Sequence, residues 1–384
     1  MKQGWDKKSL MEIASVSTGK WNANHATEGG NYRFYTCAYD YLYCDTKRFE
    51  GECLILPGNG VNVGEVFYYN GEFDAYQRTY VISDIKILPK YLHYHMLLHW
   101  KALGTKQQYG SATNFIKIGN FKEYEVQYPS LPEQQHIVSI LDETFSAIDK
   151  AKANVEQNLK NAKELFDCVL DSVLYDKKWK IEQLGNVCEK VEYGTSSKAK
   201  SEGELPVLRM GNIQNGRFTW DNLVYSDNAE DNKQYLLRHN DVLFNRTNSP
   251  ELVGKTAIYK SEMPAIFAGY LIRIHRKEDL LDADYLNYYL NSKMAFEYGK
   301  TVVISSVNQA NINGTKLKNY PIPLPSLKEQ QTIVRQLDAL RAETQKLEAV
   351  YQKKKADLEE LKKSILQKAF KGELTESKTK EPCV

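Results

Sequence analysis

Residues 130–138 read SLPEQQHIV, and residues 326–334 read SLKEQQTIV. The two stretches lie 196 residues apart, and 10 of 14 positions are identical between residues 129–142 and 325–338. So long a period excludes a solenoid, whose units recur every ~20–50 residues. Each stretch opens a long charged run, so the sequence predicts a duplicated unit made of a globular domain followed by a helix.

The duplication extends to the N-terminal side of both motifs. The residues around Leu10 match those around Leu184 at an offset of 174, and Tyr91 matches Tyr285 at an offset of 194. The offset only rises along the chain, as expected when the second copy carries insertions. We therefore predict two globular domains, two helices and a flexible tail, with the boundaries 1–130 (domain), 131–174 (central helix), 175–326 (domain), 327–374 (C-terminal helix) and 375–384 (tail).

Each globular copy shows strand-like and helix-like segments. Apolar runs such as residues 52–56 and 257–259 are bounded by turn sequences, for example Pro-Gly-Asn-Gly at 57–60, which is typical of strands. One helix-like segment follows in each copy, near residues 91–100 and 285–296. The predicted fold class is therefore α+β, with an irregular or barrel-like sheet in each copy.

The two long runs carry a heptad stripe that advances in alternating steps of four and three residues, which is the pattern of a coiled coil. An ordinary long surface helix is the alternative, but both runs carry the stripe in the same frame. We predict that the two helices form an antiparallel coiled coil with pseudo-two-fold symmetry. Its predicted core positions are Ile137, Leu141, Ile148, Val155, Ala162 and Val169 in the first helix, and Ile333, Leu337, Leu347, Leu358, Leu361 and Ile365 in the second.

Composition sets broad limits. The chain has 51 basic and 49 acidic side chains, 42% hydrophobic residues and 26% charged residues, which is ordinary for a globular protein. The net charge of +2 excludes a histone-like polycation but not a local basic face. No apolar stretch reaches the ~18 residues of a membrane span, no signal peptide is visible, and the cysteines show no CxxC spacing. We expect a cytoplasmic protein with reduced thiols.

Catalytic motifs are missing from the sequence. It contains neither the Asn-Pro-Pro-aromatic motif of adenine methyltransferases nor a GxGxxG turn, and residues 249–256 resemble a P-loop only with Ser249 in place of its first glycine. His93, His95 and His99 form HxHxxxH. A metal site is one interpretation, but no further ligand follows at suitable spacing, so a surface or DNA-facing role is favoured. We predict no catalytic residue and no metal site.

Several loops are rich in side chains that can contact DNA. Arg can fork onto guanine, Asn and Gln onto adenine, and Ser or Thr onto bases or phosphates. The alternative is that Asn, Gly and Ser occur there because turns favour them. The predicted DNA-binding residues are Asn59, Asn62, Arg78, Ser111, Thr113 and Asn114 in the first copy, and Arg209, Asn212, Arg246, Asn248, Lys255, Ser306, Asn308 and Gln309 in the second.

The repeated SLxEQQxIVxxLD motif, followed each time by a long helix, resembles the specificity subunit of type I restriction–modification enzymes. The resemblance covers essentially the whole chain. It is also carried by residues 241–246, 253–255 and 365–374, and in the first copy, which looks like a different subtype, by residues 57–64 and 73–76. The first copy is less typical than the second, and Lys328 stands where the first motif has Pro132.

The resemblance implies a DNA-reading role without catalysis. The globular copies would be target recognition domains that each read one half of a bipartite, asymmetric DNA site. The coiled coil would set the spacing and dock two methyltransferase subunits, which bind AdoMet and modify adenine N6. Restriction subunits would add cleavage that depends on ATP and Mg. The chain itself would hold no cofactor.

Two other functions are alternatives to this one. A self-sufficient DNA methyltransferase or nuclease would need catalytic and AdoMet-binding motifs, which the sequence does not show. A coiled-coil scaffold without sequence-specific DNA binding would leave the Arg-, Asn- and Ser-rich loops without a purpose. Sequence-specific retention on DNA separates the scaffold from the DNA-reading subunit.

Overall fold

The computed structural model describes residues 4–106, 114–175, 179–306 and 309–374. In the first copy the strands are β1 (Asp6–Ser9), β2 (Ser15–Thr18), β3 (Tyr32–Tyr35), β4 (Leu42–Cys44), β5 (Glu52–Pro57), β6 (Phe67–Asn70), β7 (Phe73–Ala75), β8 (Thr79–Ser83) and β9 (Glu125–Tyr128). Its helices are α1 (Leu10–Ile13), α2 (Pro89–Lys106) and α3 (Ile118–Lys122), and the long helix α4 (Leu131–Leu174) follows.

In the second copy the strands are β10 (Ile181–Gln183), β11 (Cys188–Tyr193), β12 (Leu205–Leu208), β13 (Ile213–Gln214), β14 (Arg217–Phe218), β15 (Val224–Ser226), β16 (Val242–Asn245), β17 (Thr247–Asn248), β18 (Thr256–Ile258), β19 (Ile266–Phe267), β20 (Leu271–Arg276), β21 (Ile304–Ser306), β22 (Gln309–Asn311) and β23 (Pro321–Pro323). Its helices are α5 (Ala229–Gln234), α6 (Ala283–Leu290), α7 (Lys293–Val302) and α8 (Gly314–Lys318), and the long helix α9 (Leu327–Lys371) follows.

The sheets of the two copies share one topology. The first copy has the strand order β2-β8-β5-β6, and the second has β11-β20-β16-β18 followed by β14 and β13. Each copy also has a three-stranded sheet whose central strand has one antiparallel and one parallel neighbour, β4-β3-β7 and β15-β12-β19. Among the described elements, the β13–β14 hairpin and α5 have no counterpart in the first copy. They lie where the sequence offset rises from its first value of 174, and the rest of the rise comes later in the chain.

The chain folds as two compact units, which we call unit 1 (residues 1–155 and 353–384) and unit 2 (residues 156–352). Each unit therefore combines one globular copy with a segment of both long helices. In unit 1, Ile137 and Leu141 of α4 and Leu366 of α9 belong to the same buried cluster. In unit 2, Leu170 of α4 and Ile333 of α9 do the same. The helix segments are thus part of the core of each unit.

The first glutamine of each SLxEQQ motif ties the long helix to its globular copy. Gln134 donates through Nε2 to the Pro129 carbonyl at 2.8 Å and accepts at Oε1 from the Leu88 amide at 2.9 Å. Gln330 donates to the Pro325 carbonyl at 2.9 Å and accepts from the Asp282 amide at 2.8 Å. Both glutamines are buried, and the backbone groups of the neighbouring segments supply the hydrogen bonds that their buried amides need.

Two tyrosines per copy repeat the same anchoring. The hydroxyl of Tyr91 donates to the Gln127 carbonyl at 2.9 Å, and that of Tyr285 donates to the Pro323 carbonyl at 2.8 Å. Three residues further along, Tyr94 donates to Asp142 at 2.5 Å, and Tyr288 donates to Asp338 at 2.6 Å. The sequence repeat is therefore also a repeat of side-chain hydrogen bonds.

The two long helices pair within unit 1 in antiparallel fashion. Lys152 of α4 forms an ion pair with Glu359 of α9, and Asp149 lies 3.4 Å from Lys362. Going back along α4 from Lys152 to Asp149, the partner on α9 moves forward from Glu359 to Lys362, as antiparallel helices require.

The heptad prediction is accurate for most of the helix positions. Ile137, Leu141, Ile148, Val155, Ala162, Ile333 and Leu337 are buried, and Val169, Leu358 and Ile365 pack partly buried against the cores. Leu347 and Leu361 were predicted wrongly, because they are 43% and 45% exposed. Glu348 and Lys362, one residue further along, are less exposed. The reason is helical geometry, since a straight helix drifts away from a strict 3.5-residue stripe.

Candidate nucleic-acid interface

In unit 2, one edge of the domain brings four of the predicted residues together. Arg246 follows β16 directly, and its carbonyl accepts from the Ile312 amide at 2.9 Å. Asn248 in the next strand pairs with Ala310 of β22. Strand β22 forms a hairpin with β21, in which Ser306 pairs with Gln309.

The Arg246 side chain is held in one orientation. Its Nε donates to the Gly269 carbonyl at 2.9 Å, and the guanidinium carbon lies 5.0 Å from the centroid of the Tyr193 ring. Within the described residues, the two terminal nitrogens have no hydrogen-bond partner. A guanidinium fixed at Nε with its fork free is suited to bidentate recognition of a base edge or a phosphate.

Two exposed tyrosines lie on the segments that contact this arginine, and sequence reasoning missed them. Tyr193 is 40% exposed and Tyr270 is 50% exposed, and the Tyr270 carbonyl accepts from the Arg246 amide at 3.0 Å. Both tyrosines lie at strand ends, where the alternation of apolar and polar residues does not show which side chain is buried and which is exposed. The only indication in the sequence is that each tyrosine is adjacent to a glycine, Gly194 or Gly269.

Unit 1 has the corresponding edge with different side chains. The Ile116 amide donates to the Gly58 carbonyl at 3.0 Å, as the Ile312 amide does to Arg246, so Gly58 takes the place of the arginine. An exposed cation at this edge is Arg78, whose carbonyl accepts from the Gly58 amide at 2.9 Å.

The predicted asparagines of unit 1 lie at the same edge. Asn59 forms a β-bridge with Phe115, and the Asn114 carbonyl accepts from the Gly60 amide at 2.8 Å. Arg78 and Asn114 are exposed. The structure therefore brings together Asn59, Arg78 and Asn114.

An exposed tryptophan, also missed from sequence, extends this edge of unit 1. The Trp21 carbonyl accepts from the Gln77 amide at 2.8 Å. Because Gln77 directly precedes Arg78, this hydrogen bond brings Trp21 close to Arg78. Its indole is 42% exposed, stacks on His25 with the ring centroids 4.0 Å apart, and donates to Asp74 at 2.9 Å. A base or sugar could pack on a ring that is fixed in this way.

Three of the predicted residues have structural partners instead. Asn212 is 3% exposed and donates to the Thr219 and Asp221 carbonyls at 3.2 and 2.9 Å, so its prediction as a DNA contact is wrong. Asn62 donates to the Cys37 carbonyl at 2.9 Å, and Arg209 donates to the Asn222 carbonyl at 2.8 Å. Turn geometry explains Asn212, as the alternative interpretation had it, whereas Asn62 and Arg209 bond to loop carbonyls further away in the sequence.

The other predicted residues are placed as follows. Lys255 lines a cavity with Phe166 and Arg341 of the long helices, and Arg246 does not line it. Ser111, Thr113 and Asn308 lie outside the described residues, as do the side chains of Ser306 and Gln309.

The histidine cluster belongs to the core of unit 1. His95 is 5% exposed, and its Nδ1 lies 2.8 Å from the Tyr124 hydroxyl. Burial lowers the pKa of His95 to about 3 and that of His93 to about 4. The favoured surface role is therefore wrong for His95. In the described part of the chain, no group of three His, Cys, Asp or Glu residues could hold a metal ion.

The family model for the type I restriction modification DNA specificity domain matches residues 2–161 and 176–359. The chain belongs to this family. The matched segments correspond to the two copies, each with part of its long helix. Among the described residues, no helix is long and apolar enough to cross a membrane.

Two curated relatives resemble this member of the family. The type I restriction enzyme EcoDI specificity subunit of Escherichia coli is 28% identical over 406 residues, which cover 97% of this chain and 89% of that protein. The EcoKI specificity subunit of Escherichia coli strain K12 is 29% identical over 284 residues, which cover 69% of this chain and 61% of that protein.

Solved structures confirm the predicted fold class. A chain from a type I R-M system, solved to show complex assembly and conformational transition, has a TM-score of 0.75 at 19% identity and covers 96% of this chain and 98% of its own length. The HsdS subunit from Thermoanaerobacter tengcongensis has a TM-score of 0.55 at 17% identity, with coverages of 97% and 98%. At these identities the likeness concerns the fold alone.

Proposed function

We propose that this DNA specificity subunit reads a bipartite, asymmetric DNA site, with one half contacted by each globular copy. The observation that carries the proposal is the Arg246 guanidinium, which is fixed at Nε and whose terminal nitrogens have no hydrogen-bond partner among the described residues. Its equivalent in unit 1 is Gly58, and Arg78 lies beside that glycine. The two edges have equivalent backbone hydrogen bonds but different side chains, so we expect them to read different bases.

The long helices set the spacing between the half-sites and dock two methyltransferase subunits. The support is the continuity of α4 and α9, which have 44 and 45 residues, and the participation of both in the core of each unit. At 1.5 Å rise per residue such a helix is ~65 Å long, which is enough to span many base pairs.

The chemistry resides in the partners under this proposal. The methyltransferase subunits bind AdoMet and modify adenine N6, and restriction subunits use ATP and Mg to cleave. This chain contributes recognition and assembly in the cytoplasm, and it is not itself an enzyme.

Exchange of one domain tests the proposal. Residues 175–326 are replaced by the corresponding domain of a relative with a known target, and the methylated motif is determined in cells that also carry the methyltransferase subunit. We expect only one half of the motif to change. The matched exchange of residues 1–130 should change only the other half.

The domain exchange can also contradict the proposal. If either exchange altered both halves, or left the motif unchanged, the assignment of one half-site to each globular copy would be wrong. A chimera that supports methylation at any motif has folded, so methylation itself controls for loss of structure.

A further inference from the structure

Aromatic residues of α4 face cations of α9 at two equivalent places. In unit 1, the Lys362 ammonium lies 4.6 Å from the centroid of the Phe145 ring. In unit 2, the Arg341 guanidinium lies 4.9 Å from the centroid of the Phe166 ring. Both are cation–π contacts, and in both the ring comes from α4 and the charge from α9.

Lysines of α4 and glutamates of α9 lie near each other in the same two places. In unit 1, Lys152 forms an ion pair with Glu359. In unit 2, Lys163 and Glu348 line the same cavity beside the Phe166–Arg341 contact. In both places the lysine comes from α4 and the glutamate comes from α9.

These eight residues occupy only four positions of the repeat. The two helices align without a gap at an offset of 196 residues, as the SLxEQQ motifs do. Equivalent positions therefore carry a ring in one helix and a cation in the other, or a lysine in one and a glutamate in the other. The equivalent pairs are Phe145 and Arg341, Lys152 and Glu348, Lys163 and Glu359, and Phe166 and Lys362.

The equivalence shows what pairing of like helices would do. Since α4 and α9 align without a gap, a second α9 can lie where α4 lies, in the same register. Glu348 would then face Glu359 of the second copy, and Arg341 would face Lys362. Two α4 helices would place Lys152 against Lys163. Each of these contacts brings like charges together, which is unfavourable in helix pairs.

We infer that the charges and rings of α4 and α9 select the partner helix, so that an N-terminal helix pairs with a C-terminal helix and not with a second copy of itself. The binding surface is the face of α4 that carries Phe145, Lys152, Lys163 and Phe166. Its partner is a helix with acidic residues opposite the lysines and cations opposite the rings. The inference does not depend on the proposed DNA site.

Charge reversal in the full-length chain tests this selection. One variant reverses α4 (Lys152→Glu with Lys163→Glu), a second reverses α9 (Glu348→Lys with Glu359→Lys), and a third carries all four changes. Each two-residue variant opposes like charges within its own helix pair, so we expect it to melt below the wild type. The fourfold variant restores opposite charges and should recover most of the lost stability.

Mixing the two half-reversed chains tests the choice of partner itself. The acidic α4 of one chain complements the basic α9 of the other, so joint refolding should exchange helices between chains. We expect a one-to-one dimer by light scattering, with a dimer fraction roughly tenfold or more above that of the wild type at equal concentration. Each exposed pair contributes little, but four pairs of neighbouring charges change from like to opposite in every exchanged dimer.

The control is Lys160→Glu, which reverses an exposed lysine of α4 whose partner, Glu164, lies on the same helix at 3.6 Å. It should leave both the melting temperature and the dimer fraction close to the wild-type values. The inference is overturned if the mixture contains no more dimer than the wild type. It is equally overturned if the fourfold variant melts no higher than the half-reversed chains, and this second comparison holds even if those chains unfold alone.

Discussion

Arg246 and Tyr193 lie against each other, with the guanidinium carbon 5.0 Å from the centroid of the ring. A further hydrogen bond from Nε to Gly269 leaves only the terminal nitrogens for a ligand. An arginine that is held in place loses little side-chain entropy on binding. This contact therefore gives the most specific basis for predictions about DNA.

Replacement of Arg246 should weaken DNA binding. With the methyltransferase subunits present, Arg246→Ala should cost about 1–3 kcal/mol on the cognate site if the fork reads a base. Arg246→Lys should recover little, because lysine has neither the Nε–H donor nor the planar fork. Binding is measured by titration of cognate and unrelated duplexes at one salt concentration.

The comparison of the two duplexes decides the type of contact. A loss confined to the cognate duplex indicates a base contact, and an equal loss on both indicates a phosphate. Arg335→Ala serves as the control, because Arg335 is an exposed arginine of α9 that donates to Thr332 of the same helix. Wild-type affinity of Arg246→Ala for both duplexes would remove Arg246 from the interface.

The buried motif glutamines should matter more for stability than their neighbours. Gln134→Ala leaves the Leu88 amide and the Pro129 carbonyl without a partner, at about 1–3 kcal/mol per buried group. Gln330→Ala should do the same through Asp282 and Pro325. Denaturant unfolding measures the loss, and Gln135→Ala and Gln331→Ala are matched controls, since both side chains are exposed.

Similar losses in Gln134→Ala and Gln135→Ala would contradict the structural role of the first glutamine. The same comparison between Gln330→Ala and Gln331→Ala applies to the second copy. Because the buried hydrogen bonds are equivalent, we expect both copies to give the same order of effects.

His95 should make the fold sensitive to acid. Burial lowers its folded pKa to about 3 from the ordinary 6.5, so between these values the unfolded chain binds more protons than the folded chain. The free energy of unfolding therefore falls as the pH decreases from 6.5, by at most about 1.4 kcal/mol per pH unit for one proton. Urea unfolding between pH 7.5 and pH 4.5 would measure the slope.

The variants His95→Gln and His136→Gln separate this effect from general acid sensitivity. His95→Gln should reduce the dependence of stability on pH. Part of that dependence should remain, because the pKa of His93 is also lowered. His136 is exposed on α4, so its replacement should leave the slope as it is. An unchanged slope in His95→Gln would show that His95 is not the group that titrates.

Lengthening both long helices should change the spacing of the DNA site. Seven residues inserted after residues 155 and 352 lengthen each helix by ~10 Å, which corresponds to roughly three base pairs at 3.4 Å per pair. The half-sites themselves should stay the same. A methylated motif with its original spacing would contradict the role of the helices as the spacer.

The repeat, the long helices and the fold class could be predicted from the sequence because they depend on periodic patterns. The heptad stripe selects Ile137 and Leu337 correctly, since a buried apolar position is visible from spacing alone. It fails at Leu347 and Leu361, where helical drift moves the contact by one residue. Such small rotations accumulate along a helix and depend on the partner surface.

The candidate interface was harder to predict because it depends on contacts between distant segments. Arg246 was predicted from its loop, but its orientation comes from Gly269 and Tyr193, which lie far away in sequence. Asn212 has the same composition signal and is buried as a turn residue. A polar residue in a loop therefore becomes a candidate contact only once its own hydrogen bonds are known.

The motif methylated in cells that carry this chain with its methyltransferase subunit tests the central claim most directly. Sequencing of modified bases across the genome identifies that motif without a prior assumption. We predict a bipartite motif with two different half-sites, separated by a fixed number of unspecified base pairs. A contiguous motif, or two identical half-sites, would contradict the account of two dissimilar reading domains held apart by paired helices.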